Sequence, residues 1–132
     1  MTGKYGLAAI AAVNLVRDKV INDPRKAWKE AVNSHSKKEY DVKNKSGPKE
    51  CPTGTFLGLC EEGLINGIPK GYYTNSKKNK AYGIAAVEIL KKNPSLANNK
   101  DHLWKLIPNK TATYQNCQLD VVIALWNEGM IR

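Results

Sequence analysis

Apolar residues recur along this chain at intervals of three and four, the spacing that places side chains on one face of a helix. No segment keeps the alternation of apolar and polar residues that a half-buried strand requires. The pattern therefore predicts an all-α fold, a compact domain of six helices. Their predicted ranges are residues 5–19, 24–35, 51–62, 77–93, 99–107 and 117–128. The apolar face of the first helix is predicted to include Leu7, Ile10, Ala11, Leu15 and, in part, Val13.

Residues that favour helix ends lie at several of these boundaries. Asp23 and Ser76 are predicted to cap the second and fourth helices, because short polar side chains accept hydrogen bonds from the first N–H groups. Gly63 and Gly129 follow the third and sixth helices, which predicts the left-handed conformation that ends many helices. Residues 36–50 have no apolar period and are predicted to form a surface loop.

Three blocks of sequence occur twice in the same order. Ile10-Ala11-Ala12-Val13 recurs 74 residues later as Ile84-Ala85-Ala86-Val87, and Trp28-Lys29 recurs 76 residues later as Trp104-Lys105. Both tryptophans are predicted to be largely buried. The block from Cys51 to Ile65 has a counterpart 66 residues later, from Cys117 to Ile131. We interpret this as an internal duplication within a single domain, 1–132. Two tandem, degenerate three-helix units with a pseudo-twofold relation would cover about residues 5–66 and 77–132, joined by a connector at 67–76.

The composition is ordinary for a soluble globular chain, with 42% hydrophobic and 25% charged residues among 132. Three cysteines without framework spacing indicate reduced thiols, as in the cytoplasm. The apolar segment at 6–13 is too short to span a bilayer and partly recurs inside the chain, so we expect a core helix and no membrane association. The formal net charge of +9 favours a polyanionic partner, although a solvated lysine surface has the same composition.

The residue types that support catalysis or metal binding are scarce and poorly spaced. Cysteines and histidines form no close pairs, so we predict no metal site and no cofactor. Glu61 and Glu62 are adjacent and are expected to point to different sides of a helix rather than converge. Cys51 and Cys117 lie at matched helix starts, where they are either reactive thiols or small apolar scaffold residues.

A helix-turn-helix module is excluded, because the gap before the third helix is too long and that helix has no Lys or Arg.

The connector differs between the two units and contains the strongest candidate site. Its lysines have no acidic neighbour in sequence and lie at a helix start, where backbone N–H groups and ammonium groups together suit an anion. The adjacent tyrosines could stack on bases. The alternative is a solvated linker whose tyrosines cover the seam between the units. The predicted anion-binding residues are Lys70, Ser76, Lys77, Lys78 and Lys80, and the predicted stacking residues are Tyr72 and Tyr73.

Several segments together resemble a known family. They are Cys51-Pro52-Thr53-Gly54-Thr55-Phe56-Leu57-Gly58-Leu59-Cys60-Glu61-Glu62-Gly63, Tyr73-Thr74, Ser76-Lys77-Lys78-Asn79-Lys80-Ala81-Tyr82, Trp104-Lys105 and Asp120-Val121-Val122. In these segments the chain resembles a family of short uncharacterised bacterial proteins. The resemblance implies a bacterial, cytoplasmic, single-domain protein, and it implies no catalytic or binding residue.

These observations predict a non-catalytic binding or interaction module with a basic surface. Its leading specific partner is nucleic acid or another polyanion. One alternative is a protein–protein adaptor that does not bind nucleic acid. A second alternative is a small enzyme that uses Cys51 or a carboxylate.

Overall fold

The computed structural model describes residues 3–35, 50–108, 110 and 117–132, and its fold is all-α, as the sequence predicts. The described residues form six α-helices and one short 3-10 helix. The predicted loop at 36–50 lies outside the described residues, except for Glu50. The helices are α1 (Lys4–Arg17), α2 (Pro24–His35), α3 (Glu50–Glu61), α4 (Lys77–Lys92), α5 (Lys100–Leu106) and α6 (Gln118–Asn127), and the 3-10 helix (Pro94–Asn98) lies between α4 and α5.

Side-chain caps are present at the starts of α2 and α5. The Asp23 carboxylate accepts a hydrogen bond from the Arg25 N–H at 3.0 Å, as expected for the cap of α2. The Asn99 side chain accepts one from the His102 N–H at 3.2 Å and caps α5. Ser76 occupies the predicted cap position of α4, but its hydroxyl accepts instead from the Asn79 side-chain amide at 2.9 Å. The local sequence thus predicted the cap position of α4 but not the partner of its side chain.

Left-handed residues end three of the helices. Gly63 and Gly129 have φ values of 77° and 70°, which confirms the prediction for α3 and α6. In both places the next residue donates its N–H to a carbonyl five residues earlier, at 3.1 Å and 3.0 Å, which is the Schellman motif. Lys19 ends α1 with a φ of 61°, and the Val20 N–H donates to the Leu15 carbonyl at 3.0 Å in the same way. In this third motif a lysine, Lys19, occupies the left-handed position in which glycine is favoured.

The helices pack around one hydrophobic core. Helix α1 packs on α2 and α6, α4 packs on α3 and α6, and α3 also packs on α6. Trp28 is 1% exposed, stacks between Tyr5 and Phe56, and donates its indole N–H to the Thr53 hydroxyl at 2.8 Å. Trp104 is likewise buried, at 3% exposed. The predicted burial of both tryptophans is confirmed.

Helices α3 and α4 approach each other more closely than side chains would allow. A Cβ at Gly58 would lie 2.5 Å from the Cβ of Lys80 and 2.7 Å from its Cα, so only glycine fits there. Near the start of α4, Asn79 is buried between α3 and α6. The Thr55 hydroxyl lies 3.3 Å from the Asn79 carbonyl, and the Gln118 amide donates to the Asn79 side-chain oxygen at 3.2 Å. These polar contacts fix the relative positions of three helices, because buried polar groups require their partners.

Three local features differ from the sequence-based expectation. Leu7, expected on the apolar face of α1, is 44% exposed, because α1 buries the neighbouring positions Ala8 and Ala9 instead. Helix α3 begins at Glu50 rather than Cys51. Residues 94–98 form a 3-10 helix that the periodicity did not predict, because its five residues are too few for a period of 3.6 to be recognised.

The internal duplication stays a prediction, and the burial pattern is consistent with it. Each buried residue of α4 (Asn79, Tyr82, Gly83, Ala86, Val87, Leu90) lies 74 residues after a buried residue of α1. The segments after α3 and α6 pair with each other through an antiparallel bridge between Ile65 and Ile131. Superposition of residues 7–65 on 81–131, with Trp28 and Trp104 in equivalent orientations, is the direct test.

Substituting Gly129 by Ala should lower the free energy of unfolding by about 1 kcal/mol, because a Cβ is disfavoured at positive φ. No other atom lies within 4 Å of the position of that Cβ, so the change isolates the backbone effect. Urea unfolding measures it. The matched variant Lys19→Gly places glycine at the end of α1 and should raise the free energy of unfolding by up to about 1 kcal/mol. Two variants as stable as the wild type would contradict this account of the helix ends.

Truncation of Trp28 to Ala should lower the free energy of unfolding by about 3–5 kcal/mol, because it leaves a cavity between two stacked rings. Thermal or urea unfolding followed by circular dichroism measures the loss. Trp126→Ala is the control, since Trp126 is only half-buried and should cost less. Equal losses in the two variants would contradict the central position of Trp28.

Candidate functional site

The connector between α3 and α4 is held by Glu61, the last residue of α3. One carboxylate oxygen accepts hydrogen bonds from the N–H groups of Tyr73 and Thr74, at 2.9 Å and 3.2 Å. The main-chain carbonyl of Glu61 accepts a longer bond from the Gly71 N–H, at 3.4 Å. Three residues of the connector are therefore bound to one residue of α3.

The other oxygen of the Glu61 carboxylate forms an ion pair with Lys80, at 2.7 Å. The side chains of Glu61 and Lys80 are 11% and 25% exposed, so this is one of the less solvated ion pairs of the molecule. Burial by itself raises the pKa of Glu61, but the hydrogen bonds from Lys80, Tyr73 and Thr74 together outweigh it and lower the pKa below its usual value. The same hydrogen bond to Glu61 raises the pKa of Lys80. Both groups therefore stay charged at neutral pH.

Tyr72 projects from this immobilised backbone with its side chain in solvent, and the residue is 95% exposed. Tyr72 lines a groove of about 620 Å³, whose apolar part is formed by Ala81 and Ile84 and whose cations are Lys77 and Lys80. It also lines a second groove of about 320 Å³, which includes Arg25 of α2. Thr74 and Asn75 line both grooves as well. The arrangement is an exposed aromatic ring shared by two concave surfaces, each with at least one cation.

The predicted lysines are divided between different environments. Lys77 and Lys80 line the larger groove, whereas Lys70 and Lys78 do not line either groove. Lys70 lies across Gly63, where its Cγ would be 2.7 Å from an added Cβ. Four lysines and the two nearby glutamates leave an excess of two positive charges. The net positive charge around the connector is therefore smaller in the folded protein than its sequence suggests, because Glu61 and Glu62 lie beside Lys80.

Glu61 and Glu62 both reach Lys80, which corrects the expectation that adjacent carboxylates point to different sides. The second contact, from Lys80 Nζ to a Glu62 oxygen, is 3.1 Å. Helix α3 ends at Glu61 and the chain turns at Gly63, so both carboxylates lie at the end of the helix, beside Lys80. Lys80 is consequently not an unpaired, solvated lysine.

The two tyrosines of the connector also differ. The Tyr73 hydroxyl donates to the Pro69 carbonyl at 2.8 Å, and its ring lies over Gly71 and packs against the core. Tyr73 is thus mainly part of the scaffold, which matches the alternative role of covering the seam. Tyr72 alone of the pair presents its ring to solvent.

Sequence reasoning missed several residues of this site, above all Arg25 and Glu61. Arg25 lies 47 positions before Tyr72, and its guanidinium also pairs with Asp23 at 3.3 Å. No local pattern could have placed it there, because the packing of α2 against α3 decides its position. In the sequence, Glu61 stands out only as one of two adjacent carboxylates that could serve catalysis. The feature that could have indicated its contact with the connector is its position two residues before Gly63, a glycine that ends a helix.

Few other groups in the described residues offer chemistry. Cys60 is buried, and burial raises the pKa of its thiol far above the usual range. No three His, Cys, Asp or Glu side chains come close enough to hold a metal ion in the part of the chain that the structure describes. Within the same residues, none of the helices has the length and apolar character needed to cross a membrane.

Comparison with known proteins places residues 2–132 under the family model DUF6979, a family of unknown function. No curated protein and no solved structure matches the chain. The family match covers the whole of the fold described here, including the connector and its grooves.

Stability at acid pH should depend on Glu61. Its pKa is lower in the folded protein than the usual 4.5, so its contribution is present above that pH and is lost as the pH falls through the folded value. Urea unfolding between about pH 3 and about pH 7 should show this slope in the wild type and a reduced slope in Glu61→Gln. Asp23 also has a lowered pKa, so Asp23→Asn is the control for the part of the slope that is not due to Glu61. An unchanged slope in Glu61→Gln would contradict the role of this carboxylate.

Proposed function

The chain belongs to the DUF6979 family, whose function is unknown, and from the geometry of the connector we propose that it is a non-catalytic binding module for single-stranded nucleic acid. The observation that carries the proposal is the exposed ring of Tyr72, which lines two grooves that each contain a cation. Proteins that bind single strands combine an aromatic platform for bases with positive charge along the backbone.

In the proposed complex, one base stacks on Tyr72 and the phosphates on either side of it lie in the two grooves. Lys77 supplies the charge of the larger groove, since Lys80 is paired with two carboxylates. Arg25 supplies the charge of the smaller groove and remains bonded to Asp23. The remaining lysines of the connector and the net charge of +9 add long-range attraction rather than specific contacts.

A duplex is a poorer fit to these features. Its bases are stacked on each other and are not free to lie on Tyr72, and α3 presents Glu61 and Glu62 at the same place. Binding by this site should therefore prefer single strands and show little base specificity, because every base has a face that can stack.

The apolar part of the larger groove favours a second candidate, a protein–protein adaptor. Ala81 and Ile84 with Tyr72 could receive an apolar side chain of a partner protein. Salt separates the two candidates, because counterion release makes nucleic-acid binding fall steeply with ionic strength and burial of apolar surface does not.

A catalytic role has less support. Glu61 is committed to the connector, and its lowered pKa does not suit a proton donor at neutral pH. Cys51 is half-buried in the first turn of α3. A thiol-reactivity profile tests this alternative, and selective modification of Cys51 at neutral pH would favour it.

Substitution of Lys77 by Glu should weaken binding of a fluorescent single-stranded oligonucleotide more than substitution of Lys78 by Glu. The two lysines are adjacent, exposed and in the same turn of α4, but Lys77 lines the groove and Lys78 does not. Tyr72→Ala should cost about 1–3 kcal/mol of binding free energy, whereas Tyr72→Phe should retain most of it. Fluorescence anisotropy at several salt concentrations measures all four variants.

Equal losses for the two lysine variants would mean that only general basicity attracts the strand. Absence of binding by the wild type at low salt would refute the proposed function. Replacement of Lys77, Lys78 and Lys80 together by Glu would be a less direct test, because Lys80 also stabilises the connector through Glu61.

A further inference from the structure

We infer that Glu61 is the positioning residue of this site and holds the backbone on both sides of Tyr72, so that the ring is presented before a ligand arrives. The inference rests on the proposed function and deepens it by naming the residue that prepares the site. It concerns a group that contacts the connector and not the ligand.

The contacts of Glu61 surround Tyr72 in sequence. Its carbonyl accepts from the Gly71 N–H, and its carboxylate accepts from the N–H groups of Tyr73 and Thr74. Tyr72 itself is the residue between them, and its side chain is left in solvent. A backbone bonded on both sides of an exposed ring is the arrangement expected of a preformed platform.

The physical benefit of this arrangement is a lower ordering cost on binding. A flexible connector would lose backbone and side-chain freedom when a base stacks on it, and that loss would subtract from the affinity. Here the carboxylate orders the connector during folding. Lys80 supports it from α4, because the ion pair keeps Glu61 charged and its hydrogen bonds strong.

Glu62 is a natural internal comparison. It has the same charge and contacts the same ammonium group of Lys80, but its side chain is 48% exposed. Its carboxylate makes no hydrogen bond to the backbone of residues 67–76, all of which the structure describes, and it places a negative charge beside a groove proposed to hold phosphate. Loss of Glu61 and loss of Glu62 therefore change the net charge equally and should change binding in opposite directions.

The experiment compares Glu61→Ala with Glu62→Ala in binding to a fluorescent single-stranded oligonucleotide at one fixed ionic strength. Glu62→Ala should bind about two- to fivefold more tightly than the wild type, since a repulsive charge is removed. Glu61→Ala gains the same charge but loses the ordered connector, and should bind about tenfold more weakly. Binding by Glu61→Ala that equals or exceeds binding by Glu62→Ala would overturn the inference.

A second measurement needs no variant of Glu61 and no ligand. In the wild type, the backbone amide NMR signals of Tyr73 and Thr74 should shift together with one midpoint below pH 4.5, as Glu61 takes up a proton. The charged groups around Glu61 are Lys80, which pairs with it, Glu62, which pairs with the same Lys80, Lys77, which lines the same groove, and Lys70, which packs at Gly63. Repeating the titration in Glu62→Ala removes the other carboxyl.

The two measurements separate the possible failures. Amide signals that do not shift together would overturn the positioning role, whatever the protein binds. A joint shift with no oligonucleotide binding by the wild type would refute the proposed function and leave Glu61 as the residue that orders the connector.

Discussion

The close approach of α3 and α4 at Gly58 is the constraint on which the candidate site depends. Without a Cβ at that position, the Cα of Lys80 can lie against α3, where any larger residue would collide with it. This approach brings Lys80 within 2.7 Å of Glu61 at the end of α3. The ion pair then fixes the carboxylate that holds the connector. A contact between two helices thus determines the position of a loop residue, Tyr72.

The buried polar contacts near Asn79 lie beside this close approach, about one turn earlier in α3. Thr55, Asn79 and Gln118 belong to α3, α4 and α6, and each is at most 3% exposed. Apolar packing alone allows helices to slide, whereas buried polar groups are satisfied in one arrangement. The network therefore holds the start of α4 in place, and with it the side chain of Lys77 at the edge of the groove.

The division of roles within the connector explains why its charge is a poor guide to its chemistry. In sequence, the lysines at 70–80 have no acidic neighbour. In the folded chain, Glu61 and Glu62 approach from α3 and neutralise Lys80, while Arg25 approaches from α2. The cations proposed to contact a ligand are therefore Lys77 and Arg25. Lys77 and Arg25 are proposed because they line the same grooves as Tyr72, and not because many lysines are close together in the sequence.

Local features of the sequence are enough to predict the all-α class, the order of the helices, most of their ends and the burial of Trp28 and Trp104. These properties follow from local rules: apolar spacing selects the helix, short polar residues and glycine mark its ends, and large aromatic residues on an apolar face are buried. The packing of the helices was needed to show which charges meet, that Tyr72 is exposed while Tyr73 is packed, and that Glu61 holds the connector. The contacts of Glu61 join residues 10 to 19 positions apart, and their distances are set by how the helices pack, which leaves no periodic signal in the chain.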